Sequence, residues 1–504
     1  MTLSVPYCRT RTYLIPSKGK CNFLRDAVDE NIFALPAMSI PLPQDESQPM
    51  IPKPNDSENP PLVPDGAVIV DDTPKFGFLF FGIVGLLCFN CFLQVTGYLN
   101  ASFNANFTGW ANTIYSFSNN CGQLIAIFTG ARFDFFSRIW VSCLGLALVL
   151  VGYPLLAMTK LSIGCPLAYG LTIGMGAFNA ILQSAGFGLA GSVSASAINY
   201  YCFGQALAGL LGLPMLMTLE YGFKAFGLSD VPSVAGKPSV VDSMSTLTGL
   251  GIAALLTLAL IPYYRFGIAR NGLVAQTLLV VEPAKPGSTT SSTARQRPYV
   301  EIISSTLPLG LTVWVLLFVT FLVFPSQIFL WKPSFEHYPG GKFFYPGMLI
   351  YVFQIFDVVG RYLAVAGVGL SPFQVKLLSP WRFMLVVLFY LCSYEVWVFK
   401  FDLVRIVLMA VLATSNGWLV SWAMVHGPGQ VSSENADVAS YTMSFSLVNG
   451  ILFGSLVSLA VAHVISVSPT IGSQIDESMQ QLVSVPGVPE ALKQLLDRAE
   501  EMPR

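Results

Sequence analysis

Eleven apolar runs follow one another between residues 76 and 466, each about the 20 residues needed to cross roughly 30 Å of hydrocarbon. They fall at 76–98, 110–130, 139–158, 166–189, 194–219 and 246–264, then, after a polar connector, at 307–330, 345–368, 381–400, 404–424 and 440–466. In lipid every backbone N–H and C=O must be satisfied within its own element, so runs this long and apolar read as helices. Only 11% of the residues are charged, against about 25% in a soluble domain, too few to coat a water-facing surface of this length. The expectation is an all-α polytopic membrane protein with 11 transmembrane helices, six before the connector and five after it.

The ends and the connector differ in kind from the runs. Residues 1–75 are rich in proline and acids and have no sustained apolar period, which reads as a disordered cytoplasmic tail. No apolar stretch follows Met1, so a cleaved signal peptide is not expected. Residues 76–264 are assigned to an N-terminal six-helix bundle, 265–306 to a cytoplasmic linker holding GSTTSSTARQRP, 307–466 to a five-helix bundle and 467–504 to a C-terminal tail. Leu492, Leu495 and Leu496 against Glu490, Lys493 and Asp497 leave that tail open between a short surface helix and a frayed end. Placing the N-terminus inside puts nine basic connector residues on the cytoplasmic side and six opposite, the direction of the positive-inside rule. The C-terminus is then extracellular, and the sequons at Asn100 and Asn106 lie outside, as in a glycoprotein of the plasma membrane.

Several classes of function lack their residues. The net charge is −1, which offers no basic field to nucleic acid. The C-x-x-C string Cys88–Cys91 sits inside a span rather than in a βαβ context, where a thiol is a small packing residue. His337, His426 and His463 do not cluster with acids, so no metal site is expected. GFGLAG at 186–191 follows no strand, and close helix packing accounts for it better than a dinucleotide does. No G-x-x-x-x-G-K-[ST] string is present. Neither a cofactor nor an enzymatic constellation is indicated.

Function is therefore sought where polarity enters the spans. Asp357 and Arg361, within FQIFDVVGRYLA, are four residues apart and share one helix face, so they can pair. Gln354 lies three residues earlier on the same helix. Two readings stay open: a lock between helices, or a polar patch facing a water-filled cavity. Glu395, in SYEVWVFKFD near the end of its run, reads as an interfacial acid or as a proton-linked one. Amides recur at mid-span: Asn90, Gln94, Asn119, Asn120, Gln123, Asn179, Gln183, Gln205, Asn416 and Asn449. Spread over so many helices, they point to a shared cavity for an uncharged, hydrogen-bonding solute.

Four strings in order carry a resemblance. NAILQSAGFGLAGSVSASAINYYCFGQALAGLL at 179–211, Phe324-Pro325, FDVVGRYLA around Asp357 and SNGWLVSWAMVHGPGQV from Ser415 are similar to segments of the equilibrative nucleoside transporter family. The resemblance covers about 76–466 and implies a major-facilitator-like fold of six plus five helices with an alternately exposed central site. It implies carriage of nucleosides or nucleobases, either facilitative or proton-coupled, with Asp357 or Glu395 as the proton-linked group in the second case. Gln183 resembles the glutamine that meets the base, and Asp357 and Arg361 resemble the pair that meets the ribose hydroxyls. Asn90, with Phe89 and Leu93 on either side, resembles the first-span segment lining the pocket. Cys88-Phe89-Asn90 stands where the family often has Pro-Trp-Asn, and Gln354 replaces a frequent asparagine. A carrier of another small polar solute, such as a sugar, is the alternative.

Overall fold

The computed structural model describes residues 73–104, 107–159, 163–228, 238–281, 297–325, 327–328, 331 and 344–467. The expected N-terminal tail up to residue 72, Asn106 of the second sequon, residues 282–296 of the connector and the C-terminal tail from 468 lie outside these residues. What is described is almost wholly helical: α1 Lys75–Gln94, α2 Thr96–Ser102, α3 Phe107–Thr129, α4 Phe135–Thr159, α5 Gly164–Val193, α6 Ala195–Ala225, α7 Val240–Tyr263, α8 Gly272–Val281, α9 Tyr299–Val323, α10 Phe344–Val365, α11 Pro372–Trp381, α12 Phe383–Ser393, α13 Asp402–His426 and α14 Ala436–Val467.

Among the described residues, ten helical stretches are long and apolar enough to cross a membrane, with α11 and α12 together forming one of them. The second expected run is α3, whose 23 residues are long enough but which is not among those ten. Asn112, Ser116, Ser118, Asn119, Asn120 and Gln123 dilute its hydropathy. An expected count of 11 is thus matched on length and composition by ten.

Several boundaries differ from expectation: α7 begins at Val240 rather than 246, and α9 runs over Tyr299–Val323 rather than 307–330. The ninth span runs over Pro372–Ser393, not 381–400. Ser371 caps α11 by accepting from the Gln374 N–H, and the Gln374 side chain accepts from the Ser371 N–H. That capping box with proline at the first helical position starts the helix well before the apolar run begins. The start of the connector is also helical: a π-helical turn at Tyr264–Ile268 extends α7, and α8 follows.

Glycines set how closely the helices approach. The heaviest packing joins α9 to α14, α1 to α6, α10 to α13 and α3 to α5. A Cβ at Gly82 would fall on the Tyr201 carbonyl oxygen of α6, and one at Gly204 on the Leu79 carbonyl oxygen of α1. Only a hydrogen fits at such a backbone crossing. In GFGLAG, Gly186 lies against the Tyr201 ring, Gly188 against the Tyr441 ring and Gly191 against Ser440. The string serves helix contact.

Candidate functional site

Seven of the sequence-predicted residues meet in one place. Asn90, Phe89 and Leu93 of α1, Gln183 of α5, and Gln354, Asp357 and Arg361 of α10 all line a cavity of about 260 Å³. Drug-sized ligands occupy pockets of roughly 300–1,000 Å³, so this one suits a smaller molecule. Its wall comes from α1, α3, α5, α6, α9, α10, α13 and α14. It therefore lies between the helices before the connector and those after it.

At its polar side, Arg361 Nε donates to Asp357 Oδ2 at 2.9 Å, and Asn416 Nδ2 of α13 donates to Asp357 Oδ1 at 2.8 Å. Arg361 Nη1 donates across to the Cys202 carbonyl of α6 at 3.0 Å. Both members of the pair are under one tenth exposed, so each charge depends on these partners. A carboxylate offers about four acceptor sites, and the two protein donors leave others for the cavity. Helix lock and cavity lining, left open by the sequence, describe the same pair.

Neutral amides complete the lining. Gln183 makes only long bonds, accepting from Gln123 Nε2 at 3.4 Å and donating to the Gly85 carbonyl at 3.5 Å, so its amide is weakly committed. Asn119 lines the cavity, and its Oδ1 is buried without a hydrogen-bond partner among the described residues. Asn120 donates to the Val448 carbonyl of α14 and accepts from Asn449 Nδ2, tying α3 to α14. Gln205 and Asn416 face the cavity, while Gln123, Asn179 and Asn449 stand outside its lining and Gln94 lines a separate cleft. Two stacked aromatic pairs supply apolar wall: Phe89 on Tyr115 at 4.2 Å and Phe324 on Phe353 at 4.1 Å.

Glu395 is not brought into this group. It follows α12 in a turn with φ +56°, its side chain is 44% exposed, and its carboxylate lies 4.0 Å from Arg405 Nη2.

The cavity lies in the middle of the bundle, and its lining extends toward the end where α1 and α9 finish and α3 begins. At the other end the two groups of helices touch. Arg138, which just precedes the third apolar run, is buried there; Nη1 donates to the Tyr441 hydroxyl at 2.7 Å and Nη2 to Ser184 Oγ at 2.9 Å. Arg297 pairs with Asp437 at 2.5 Å and also donates to the carbonyls of Glu434 and Val281. Sequence scanning passed over Arg138, Arg382 and Arg405 because each falls at the edge of an apolar run, yet all three are buried. For Arg382 the Ser371-Pro372-x-Gln374 capping signal moves the span start back and the arginine into its middle.

A family model described as "Nucleoside transporter" matches residues 279–463. Mouse "Equilibrative nucleoside transporter 1" is 27% identical over 348 residues, covering 62% of this chain and 73% of the mouse protein. Mouse "Equilibrative nucleoside transporter 2" is 28% identical over 350 residues, covering 62% and 76%. Among solved structures, a major facilitator superfamily transporter, FucP, in the outward conformation superposes with a TM-score of 0.50 at 12% identity, over 79% of this chain and 98% of that one. At that identity the likeness concerns the fold alone.

Proposed function

Because this chain is a relative of the equilibrative nucleoside transporters, we propose that it carries nucleosides or nucleobases across a membrane by alternating access. The observation that carries this reading is the Asp357 carboxylate, buried on the wall of a small central cavity with one protein donor on each oxygen. An acceptor with spare lone pairs selects a solute that gives hydrogen bonds, as a ribose diol does. Gln183, loosely held, suits a base edge, which both donates and accepts. The stacked rings beside Phe89 and Phe353 suit the base faces. Bonds to a neutral solute, spread over many groups, allow release as well as capture.

The helices of 76–264 form one moving half and those of 307–466 the other, with the connector cytoplasmic, the N-terminus inside and the C-terminus outside a plasma membrane. In that frame the cavity opens toward the outside, and the Arg138–Tyr441 contact closes the inside, with the Arg297–Asp437 pair bracing the second half. Asn100 is then an external sequon. Asp357, on the cavity, is the better proton carrier if transport is coupled; Glu395 stands off it.

Uptake of labelled adenosine, inosine and hypoxanthine into transporter-deficient cells tests the reading, with and without a protonophore and with glucose as competitor. Saturable nucleoside uptake indifferent to glucose is expected; glucose-inhibited uptake with no nucleoside flux sinks it. Loss of flux with protonophore distinguishes coupling from facilitated diffusion.

The inner closure gives a further expectation. Tyr441→Phe removes the acceptor of a charged hydrogen bond worth about 1.5–3 kcal/mol. The balance between states then shifts about tenfold or more away from the closed inner end. In inside-out vesicles, a cysteine introduced by Ser440→Cys should alkylate correspondingly faster when Tyr441→Phe is also present. Equal rates with and without Tyr441→Phe would remove the Arg138–Tyr441 contact from gating.

A further inference from the structure

The substrate-facing carboxylate is connected to a buried cation that does not touch the cavity. Arg382 occupies the joint between α11 and α12, in the middle of the Pro372–Ser393 span, and is 4% exposed. No carboxylate pairs with it among the described residues. Its Nη1 donates to the Leu316 carbonyl at 2.8 Å, and its Nη2 donates to Thr320 Oγ1 at 2.8 Å and to the Leu412 carbonyl at 3.0 Å. A charge kept in mid-membrane without a counterion is a functional feature by default.

Counting protons gives the network a direction. Thr320 Oγ1 lies 2.8 Å from the Leu316 carbonyl and 2.9 Å from Asn416 Oδ1, but a hydroxyl has one proton to give. Arg382 already donates to that carbonyl and to the hydroxyl oxygen itself. That carbonyl also accepts the α9 helix N–H four residues on, which fills its second lone pair, so the Thr320 proton goes to Asn416 Oδ1. With its oxygen claimed, the Asn416 amide turns its Nδ2 toward Asp357 Oδ1, 2.8 Å away. The reverse orientation would set the amide oxygen against the carboxylate oxygen, two acceptors without a proton between them. Such chains polarise each successive bond.

We propose that Arg382 and Thr320 are positioning residues of the solute site: through Asn416 they hold Asp357 as an oriented acceptor for the hydroxyls of the solute. This rests on the reading that Asp357 meets those hydroxyls. Neither residue touches the solute. Arg382 acts through Asn416 on Oδ1 and Arg361 directly on Oδ2, so the carboxylate is held against rotation with a lone pair left on each oxygen.

A lock between helices predicts something different from a relay, and Thr320 separates them. Thr320→Val removes the hydroxyl while sparing both carbonyl bonds of Arg382; Thr320→Ser keeps the hydroxyl. Initial rates of labelled adenosine uptake, scaled to surface-biotinylated protein, are measured for these two, for Arg382→Met, for Asn416→Leu and for Thr320→Val with Asn416→Leu. The relay predicts that Thr320→Val raises KM about tenfold, with the maximal rate per surface molecule changed less than about twofold and Thr320→Ser close to wild type. Once Asn416 is gone the Thr320 substitution should add nothing, because the two act as one unit. An unchanged KM in Thr320→Val, or losses that multiply in the double variant, overturns the proposal. Should Arg382→Met fail to reach the surface, the Thr320 variants decide alone. A wild-type chain that takes up labelled glucose and no nucleoside sinks the nucleoside reading instead, and the same KM comparison is then read on glucose.

Discussion

Asp357→Ala is expected to lower saturable solute uptake by roughly a hundredfold or more, through two separable effects. The substitution removes the acceptor that faces the cavity, a charged hydrogen bond worth about 1.5–3 kcal/mol. It also leaves Arg361 buried, its charge answered by the neutral Cys202 carbonyl in place of a carboxylate, and breaking a buried pair on one side costs about 3–5 kcal/mol. The second effect is larger and falls on stability rather than on affinity. Arg361→Ala likewise leaves Asp357 buried, though with Asn416 still donating to it. The double variant, lacking both charges, therefore recovers much of the thermal stability lost by either single one, while uptake stays absent. Melting of the detergent-solubilised protein and uptake per surface molecule measure the two effects independently. Undiminished uptake in either single variant at normal surface amount would take the pair out of the mechanism.

Gly360 and Gly417 should prove nearly as intolerant. A Cβ at Gly417 would meet the Asp357 carbonyl oxygen and come within 2.9 Å of the Arg361 nitrogen; one at Gly360 would meet the Thr414 carbonyl oxygen and lie 3.0 Å from the Trp418 nitrogen. The neighbours are backbone, so no side chain can swing aside and α10 must draw away from α13. Overpacking of this kind costs about 1–3 kcal/mol. Separation also lengthens the 2.8 Å bond from Asn416 to Asp357, coupling the steric damage to the site. Either Gly→Ala substitution is expected to lower uptake about tenfold or more, and both together to leave little folded protein. Gly347→Ala is the control: it lies on the same helix, and nothing among the described residues is within 4 Å of its added Cβ. That variant should melt at or slightly above the wild-type temperature, since alanine is the better helix former by roughly 0.5–1 kcal/mol. Equal melting of the Gly417 variant and this control would show that the α10–α13 crossing is not limiting.

These two glycines explain why the FDVVGRYLA and SNG strings occur together. Gly360 stands between Asp357 and Arg361, and Gly417 follows Asn416. Each lets the opposite backbone approach, and that approach delivers Asn416 to Asp357. The two strings are one structural unit written in two places.

Features governed by local chemistry were legible in the residues alone. A run of about 20 apolar residues is a spanning helix whatever its neighbours, and a four-residue spacing puts Asp357 and Arg361 on one face whatever that face meets. Scattered amides pointed to a shared cavity, because lipid excludes them and leaves only cavity walls and helix contacts to hold them. Hydropathy falls short at α3, expected as the second span and a helix of full length, because its amides line the cavity or tie it to α14. It failed again where a capping signal, rather than apolarity, began the helix at Ser371. Helix packing then settled which amides line the cavity, that Arg138 and Arg382 are buried, and that Thr320 lies within hydrogen-bond reach of Asn416. Each of those depends on atoms many residues apart in the chain, and no periodicity within a helix records which neighbour its polar face will meet.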